Sequence, residues 1–312
     1  MTSVLSAPHF HDEAAAYEYV EAQLWPSGPS CPHCGNVDAA KIGRLQGKTT
    51  RAGLRKCYAC RKPFTVKIGT IFEDSHAPLR LWLQAVYLLC SSKKGISTRQ
   101  LQRTLGVGMK TAWFMGHRIR HAMAPAGSGP IGGEGKTVEA DETYLTKSRK
   151  TRKPKDYVPF ERKERVVLSL VERGGNIRSM YLDHTTARKA VWEHLADNTR
   201  LVTDSAAHFK GIAVEHEAVD HSKFEWSRGD VHTNTLEGFF SIFKRGLVGT
   251  YQHMDKRHLD RYLAEFDFRQ NTRAKLGISD VSRAEIALKG FKGKRLTYET
   301  TGGQKTAVQD VG

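Results

Sequence analysis

The chain changes its hydrophobic rhythm near residue 136. Beyond it, short runs with alternating or continuous apolar character are interleaved with runs of helical spacing. KTVEADETYL (136–145), RVVLSLVERGG (165–175) and NIRSMYLDH (176–184) read as strands, the last two joined at a Gly-Gly turn. TTARKAVWEHLADN (185–198) reads as a helix with a Thr cap. RLVTDSAAH (200–208) is a short strand ending at an aspartate, and AVEHEAVDH (213–221) is a further strand candidate. In HTNTLEGFFSIFKRG (232–246), Leu236, Phe239, Phe240 and Phe243 recur at helical spacing, while Glu237 and Lys244 fall two turns apart on one polar stripe. HLDRYLAEFDFRQN (258–271) is another helix, with Leu259, Tyr262, Leu263 and Phe266 on one face. Three strands, a helix, a strand and then helices predict a mixed α/β domain over 136–290.

The first half reads differently. Residues 1–66 hold an amphipathic lead, EAAAYEYVEAQLW, followed by two cysteine pairs. Residues 67–123 read as helical, broken at GVG (106–108). Within them, Ser97 or Thr98 can cap a helix carrying Leu101 and Leu105, and Lys110 to Arg120 form a second helix. Leu101, Leu105, Val107, Trp113 and Ile119 can pack the pair together, which leaves Lys110, Thr111, His117 and Arg118 for DNA. A short helix, a glycine turn and a basic second helix fit a helix-turn-helix, with an ordinary helical hairpin as the alternative. APAGSGPIGGEG (124–135) is a linker, and 291–312 is expected to be a flexible tail.

The apolar runs are too short for a membrane: the longest, LRLWLQAVYLLC (79–90), is interrupted by Arg80 and Gln84. No basic segment followed by an apolar core opens the chain, so a cytoplasmic, nucleoid-associated location is expected. The formal net charge of +16 favours a polyanionic partner. Nucleic acid fits better than a membrane surface, because no basic amphipathic anchor stands out.

Two clusters carry candidate chemistry. CPHC (31–34) and CYAC (57–60) are C-x-x-C knuckles with 22 residues between them. Each supplies two soft ligands from one tight turn, so Cys31, Cys34, Cys57 and Cys60 are expected to bind one structural Zn²⁺ with all four positions filled. A redox C-x-x-C is the competing reading. His33 is expected in a solvent-facing loop, and the fifth cysteine, Cys90, as a small buried residue.

The second cluster is acidic. Asp141 lies inside VEADETYL and Asp204 closes LVTDS, each among apolar residues where an ionised side chain is costly. With Glu237 from the helix, they can hold two Mg²⁺ or Mn²⁺ ions roughly 4 Å apart, an arrangement for in-line phosphoryl displacement. Any one of these acids alone fits a surface or capping role. Glu142 should point to the opposite face of its strand, Asp183 can be structural, and Glu139 alternates with Asp141 on one side and can support it. TKSRKTRKPKDYVPFERKER (146–165), with Pro154 and Pro159, reads as a DNA-contacting or flexible insert.

VEADETYL, TDS and HTNTLEGFFSIFKRGLVGTYQHMDKRHLDRYLAEFDFRQNTR resemble the DDE transposases of bacterial insertion sequences, in particular the ISXO-type group with an N-terminal zinc ribbon. LWPSGPSCPHCG resembles that group too, so the resemblance covers roughly residues 10 to 275. It implies a ribonuclease-H-like catalytic domain, a mixed sheet flanked by helices. The first acid sits on the first strand (Asp141), the second on the fourth (Asp204) and the third on a later helix (Glu237), 33 positions after Asp204. A basic residue seven positions after the third acid is common in the family and matches Lys244, a phosphate contact, beside Arg245. Some relatives carry Asn or His as the third ligand, which keeps Asn234 as a rival. EGFF stands where an aromatic pair ending in Trp is usual. The implied function is binding of the element's terminal inverted repeats, cleavage, and joining of 3′ ends to target DNA by a homodimer or larger assembly. The alternatives are a metal-dependent nuclease of the same fold and a non-catalytic zinc-ribbon regulator.

Overall fold

The computed structural model describes residues 3–125, 129–145, 165–182, 185–204, 209, 212, 215–220, 223, 225 and 227–297. The chain divides into two units, residues 1–126 with 272–312, and residues 127–271.

The first unit opens with α1 (Glu13–Leu24), capped by the Asp12 carboxylate on the Ala15 amide at 2.7 Å. A three-stranded antiparallel sheet follows: β1 (Ile42–Arg44), β2 (Arg55–Cys57) and β3 (Pro63–Phe64). Glu21, buried on α1, accepts from the Arg55 guanidinium at 2.6 and 3.3 Å and so ties helix to ribbon. Three helices come next: α2 (Leu79–Ser91), α3 (Thr98–Leu105) and α4 (Met109–Met123). Ser97 caps α3 by accepting from the Gln100 amide, and Gly106 ends it with φ 64°. That left-handed turn is the break expected at GVG. Leu101, Leu105 and Ile119 are buried between the helices as expected, and Cys90 is buried on α2.

The second unit is built on five strands: β4 (Thr137–Tyr144), β5 (Val166–Glu172), β6 (Ile177–Tyr181), β7 (Arg200–Asp204) and β8 (His216–Val219). Their order is β6-β5-β4-β7-β8, antiparallel for β6-β5-β4 and parallel for β4-β7-β8. This is the mixed sheet of the ribonuclease-H-like fold. α5 (Ala187–His194), capped by Thr186, covers one face, where Val138, Ala140, Leu168, Leu170 and Leu201 meet Ala190 and Val191. α6 (Asn234–Gly246) and α7 (Leu259–Asn271) cover the other, where Val167, Val171 and Ile177 meet Leu236, Phe239, Phe240, Phe243, Leu263 and Phe266. Each such phenylalanine contributes about 1.5–3 kcal/mol on burial.

β6 is an edge strand whose outward amides need partners. α7 supplies them. Asn271 accepts from the Ile177 amide at 2.7 Å and donates to its carbonyl at 3.0 Å, and Asp267 accepts from the Ser179 amide and hydroxyl, each at 2.6 Å.

α8 (Asp280–Lys289), with Ser279 as its cap, belongs to the first unit and packs on α2. The buried Arg283 guanidinium donates to the carbonyls of Thr272 and Cys90. The span 136–290 therefore includes a helix that packs with the first unit, not with the sheet. The tail expected from 291 begins with Phe291, fully buried against Phe72. The periodicity of a single short helix does not say which core it joins. The insert 146–164 and Asp183 lie outside the described residues. Among the described residues no helix is long and apolar enough to cross a membrane.

Candidate active site

Strand alternation decides which side chains of the sheet look towards α6. Val138 and Ala140 face α5, so Glu139 and Asp141 face α6. On β7 the same alternation sends Leu201 towards α5 and Asp204 the opposite way. β4 and β7 are parallel, with Glu139 opposite Val202 and Ala140 opposite Thr203. One further step along both strands brings Asp141 and Asp204 abreast.

Glu237 lies in the first turn of α6, on its exposed side, while Leu236, Phe239, Phe240 and Phe243 are buried. Asp141 records the proximity of the other two acids. Its carboxyl is pushed up to about 7, first by burial and then by the negative fields of Asp204, Glu237 and Glu142. The Glu142 amide, donating to Asp141 Oδ1 at 2.7 Å, acts in the opposite direction. The structure thus places Asp141 and Asp204 abreast on adjacent strands, with Glu237 of α6 within electrostatic reach of Asp141. Asn234 is the exposed first residue of α6, one turn earlier. Lys244 and Arg245 are exposed in the last turn of α6, with Arg245 donating to the Ser241 carbonyl and hydroxyl.

Glu139 is a buried hub. It pairs with Arg173 at 2.9 Å, lies 3.6 Å from His232 Nδ1, and accepts from the Thr235 amide, the Thr235 hydroxyl and the Leu236 amide. Arg173 also donates to the carbonyls of Asp230 and His232, in the loop that enters α6. Arg173 and His232 were not legible as part of this cluster. Arg173 sits in a strand-connecting turn, where a charged residue is ordinary.

In the first unit, the sulfurs of Cys31, Cys34, Cys57 and Cys60 all lie within 4.8 Å of one another. Gly35 (φ 71°) and Arg61 (φ 63°) follow the two knuckles in the same left-handed conformation, which closes each turn on its cysteines. Cys57 is held below the ordinary thiol range, chiefly by the Cys60 amide. Convergent soft donors of this kind fit a tetrahedral Zn²⁺. Among the described residues, no group as tight as this includes the three acids. His33 is exposed, with Nε2 3.3 Å from the Pro63 carbonyl.

The four expected DNA contacts on α4 part company. Lys110 is exposed, as is Thr111. Arg118 is buried: its guanidinium donates to the carbonyls of Ile71, Glu73 and Leu296 at 2.6, 2.6 and 3.0 Å, and it sits over the Phe114 ring. His117 is buried beside Trp113. The expectation that Arg118 and His117 remain free for DNA is corrected. An arginine on a helix reads as surface, and only the packing of α4 against neighbouring chain turns this one inward.

Residues 132–271 match the ISXO2-like transposase domain, and residues 11–63 match the transposase zinc-ribbon domain. An uncharacterized protein in transposable element ISH50 of Halobacterium salinarum is 27% identical over 290 residues, covering 86% of this chain and 94% of the relative. The first match ends on the last residue of the sheet-bearing unit, and the second spans α1 and both knuckles. With its ribonuclease-H-like sheet and its four converging cysteines, the chain carries an ISXO2-like transposase domain preceded by a transposase zinc-ribbon domain.

Proposed function

We propose that this transposase binds the terminal inverted repeats of its element, cleaves the DNA, and joins the resulting 3′ ends to target DNA, with Asp141, Asp204 and Glu237 as its catalytic acids. The observation that carries the reading is the convergence of the three acids from two adjacent parallel strands and the facing helix, close enough that Asp204 and Glu237 both raise the Asp141 carboxyl. The donor set is all oxygen, and it gathers negative charge where burial already disfavours it, which fits Mg²⁺ or Mn²⁺. Bound there, such ions would activate water or a 3′-hydroxyl and stabilise the leaving oxygen.

The chain's own groups have separate tasks. Asp141 and Asp204 are fixed to the sheet, so their spacing is rigid. Glu237 rides on α6, whose buried phenylalanines hold the helix against that sheet. Glu237 is taken as the third ligand, with Asn234, one turn earlier on the same helix, as its rival. Lys244, two turns along the same stripe, would take a DNA phosphate as a point charge, with Arg245 beside it. Cys31, Cys34, Cys57 and Cys60 would hold one structural Zn²⁺, and the ribbon with α3 and α4, Lys110 included, would contact the terminal repeats. Two ends must be joined, which calls for a dimer or larger assembly on DNA.

The test is strand transfer with the zinc-loaded protein, labelled DNA carrying the repeats of its own locus, a target plasmid and Mg²⁺. Joined product should appear with wild type and with Asn234→Ala, and disappear with Asp204→Asn and Glu237→Gln. Cleavage without joining would point to a nuclease of the same fold. Specific binding without cleavage would point to a regulator.

A further inference from the structure

α6 begins without a cap of its own. Thr233, the residue before its first turn, makes no side-chain capping bond. Helix amides left without an acceptor are costly when buried, and the helix dipole attracts a negative group to that end. The acceptor comes from another element. Glu139 of β4, 0% exposed, takes the Thr235 amide at 3.0 Å and the Leu236 amide at 3.3 Å on Oε2, and the Thr235 hydroxyl at 2.9 Å on Oε1. Arg173 neutralises the carboxylate from the other side and, through the carbonyls of Asp230 and His232, orders the loop before the helix.

Glu139 lies two residues before Asp141 on β4, and Thr235 lies two residues before Glu237 on α6. One carboxylate therefore joins the two elements that carry the first and third acids, one step from each. Hydrophobic packing alone lets a helix slide or tilt by fractions of an ångström, whereas three hydrogen bonds to a charged acceptor fix its start. We infer that Glu139 is a positioning residue: as the cap of α6 supplied by β4, it sets the distance of Glu237 from Asp141 and so the affinity of the acidic site for its divalent ions. This rests on the active-site reading given above.

The test is Mn²⁺ binding to the zinc-loaded full chain without DNA, read as the loss of the free Mn²⁺ signal in electron paramagnetic resonance. Melting temperature is recorded alongside, and Asp141→Asn marks the contribution of the acidic site. Glu139→Gln keeps the shape but turns an amide NH₂ towards donors. It should weaken Mn²⁺ binding roughly tenfold, in the range seen when groups supporting a metal ligand are changed. Thr235→Val removes one of the three bonds and leaves the helix intact, and it should weaken binding in the same direction by about twofold. Strand transfer by both variants should recover at high Mn²⁺, which a misfolded protein would not allow. If wild type binds Mn²⁺, Asp141→Asn abolishes it, and folded Glu139→Gln or Thr235→Val binds as wild type does, the positioning role is overturned while the active site stands. If Asp141→Asn and Glu237→Gln leave binding unchanged, both readings fall together.

Discussion

Asp141→Asn should stabilise the Mg²⁺-free protein at pH 8 while abolishing its response to Mg²⁺. The wild-type carboxyl is pushed from its ordinary 3.8 to about 7, by burial first and by Asp204 and Glu237 next. A raised carboxyl favours the fold while it is protonated. That contribution is complete below about pH 4 and is lost as the pH rises through about 7. The rise corresponds to roughly 4 kcal/mol in a dry site, and to roughly 2 kcal/mol once the partial exposure of Asp141 is allowed for. Asparagine carries no charge and can still accept from the Glu142 amide, so at pH 8 the variant should melt roughly 6 °C higher than wild type. At pH 5 the gap should narrow. Mg²⁺ at a hundred times its dissociation constant should add about 2.7 kcal/mol to wild type and little to the variant. Calorimetry of the zinc-loaded chain without chelator reads these shifts. A variant less stable than wild type at pH 8 without Mg²⁺, or stabilised equally by Mg²⁺, would refute the reasoning.

Three further outcomes are expected. Arg118→Met should destabilise the first unit by about 3 kcal/mol, because three carbonyls lose their donor, whereas Lys110→Ala should leave the melting temperature unchanged and lower the salt slope of DNA binding by about one; equal melting temperatures for wild type and Arg118→Met would contradict the burial. Cys57→Ser should lose stoichiometric zinc by metal analysis and unfold the ribbon, with protease cleavage appearing within residues 31–64. Asp267 is also pushed up to about 7 by burial, so the fold loses its contribution as the pH rises through 7. Asp267→Asn should therefore flatten the pH dependence of urea denaturation between pH 5 and 8, and an unchanged slope would count against it.

Most of the element pattern follows from local rules. The five strands of the sheet, the Thr186 cap of α5, the turn at GVG and the phenylalanine stripe of α6 can all be read from spacing and turn chemistry, because each depends on residues within a turn or two. The two knuckles are equally local, since each pair of cysteines needs only its own tight turn. Asp141 and Asp204 were legible as candidates because an ionised side chain among apolar strand residues is costly, and Glu237 because it shares a polar stripe with Lys244 on an otherwise apolar helix.

What the sequence alone determined, then, was which segments are strands and helices, where the cysteines pair, and which acids are out of place. Tertiary structure decided the rest, because it depends on which surfaces meet across long separations. α8 and Phe291 pack with the first unit, although they follow the catalytic sheet in the chain. Arg118 and His117 turn inward, although their helix is basic. Glu139 becomes the cap of a helix that begins 95 residues later, at Asn234. A buried charge is stable only beside its donors, and those donors come from Arg173 and Thr235, far along the chain. Periodicity carries no information about such distant partners, and the fold alone brings them together.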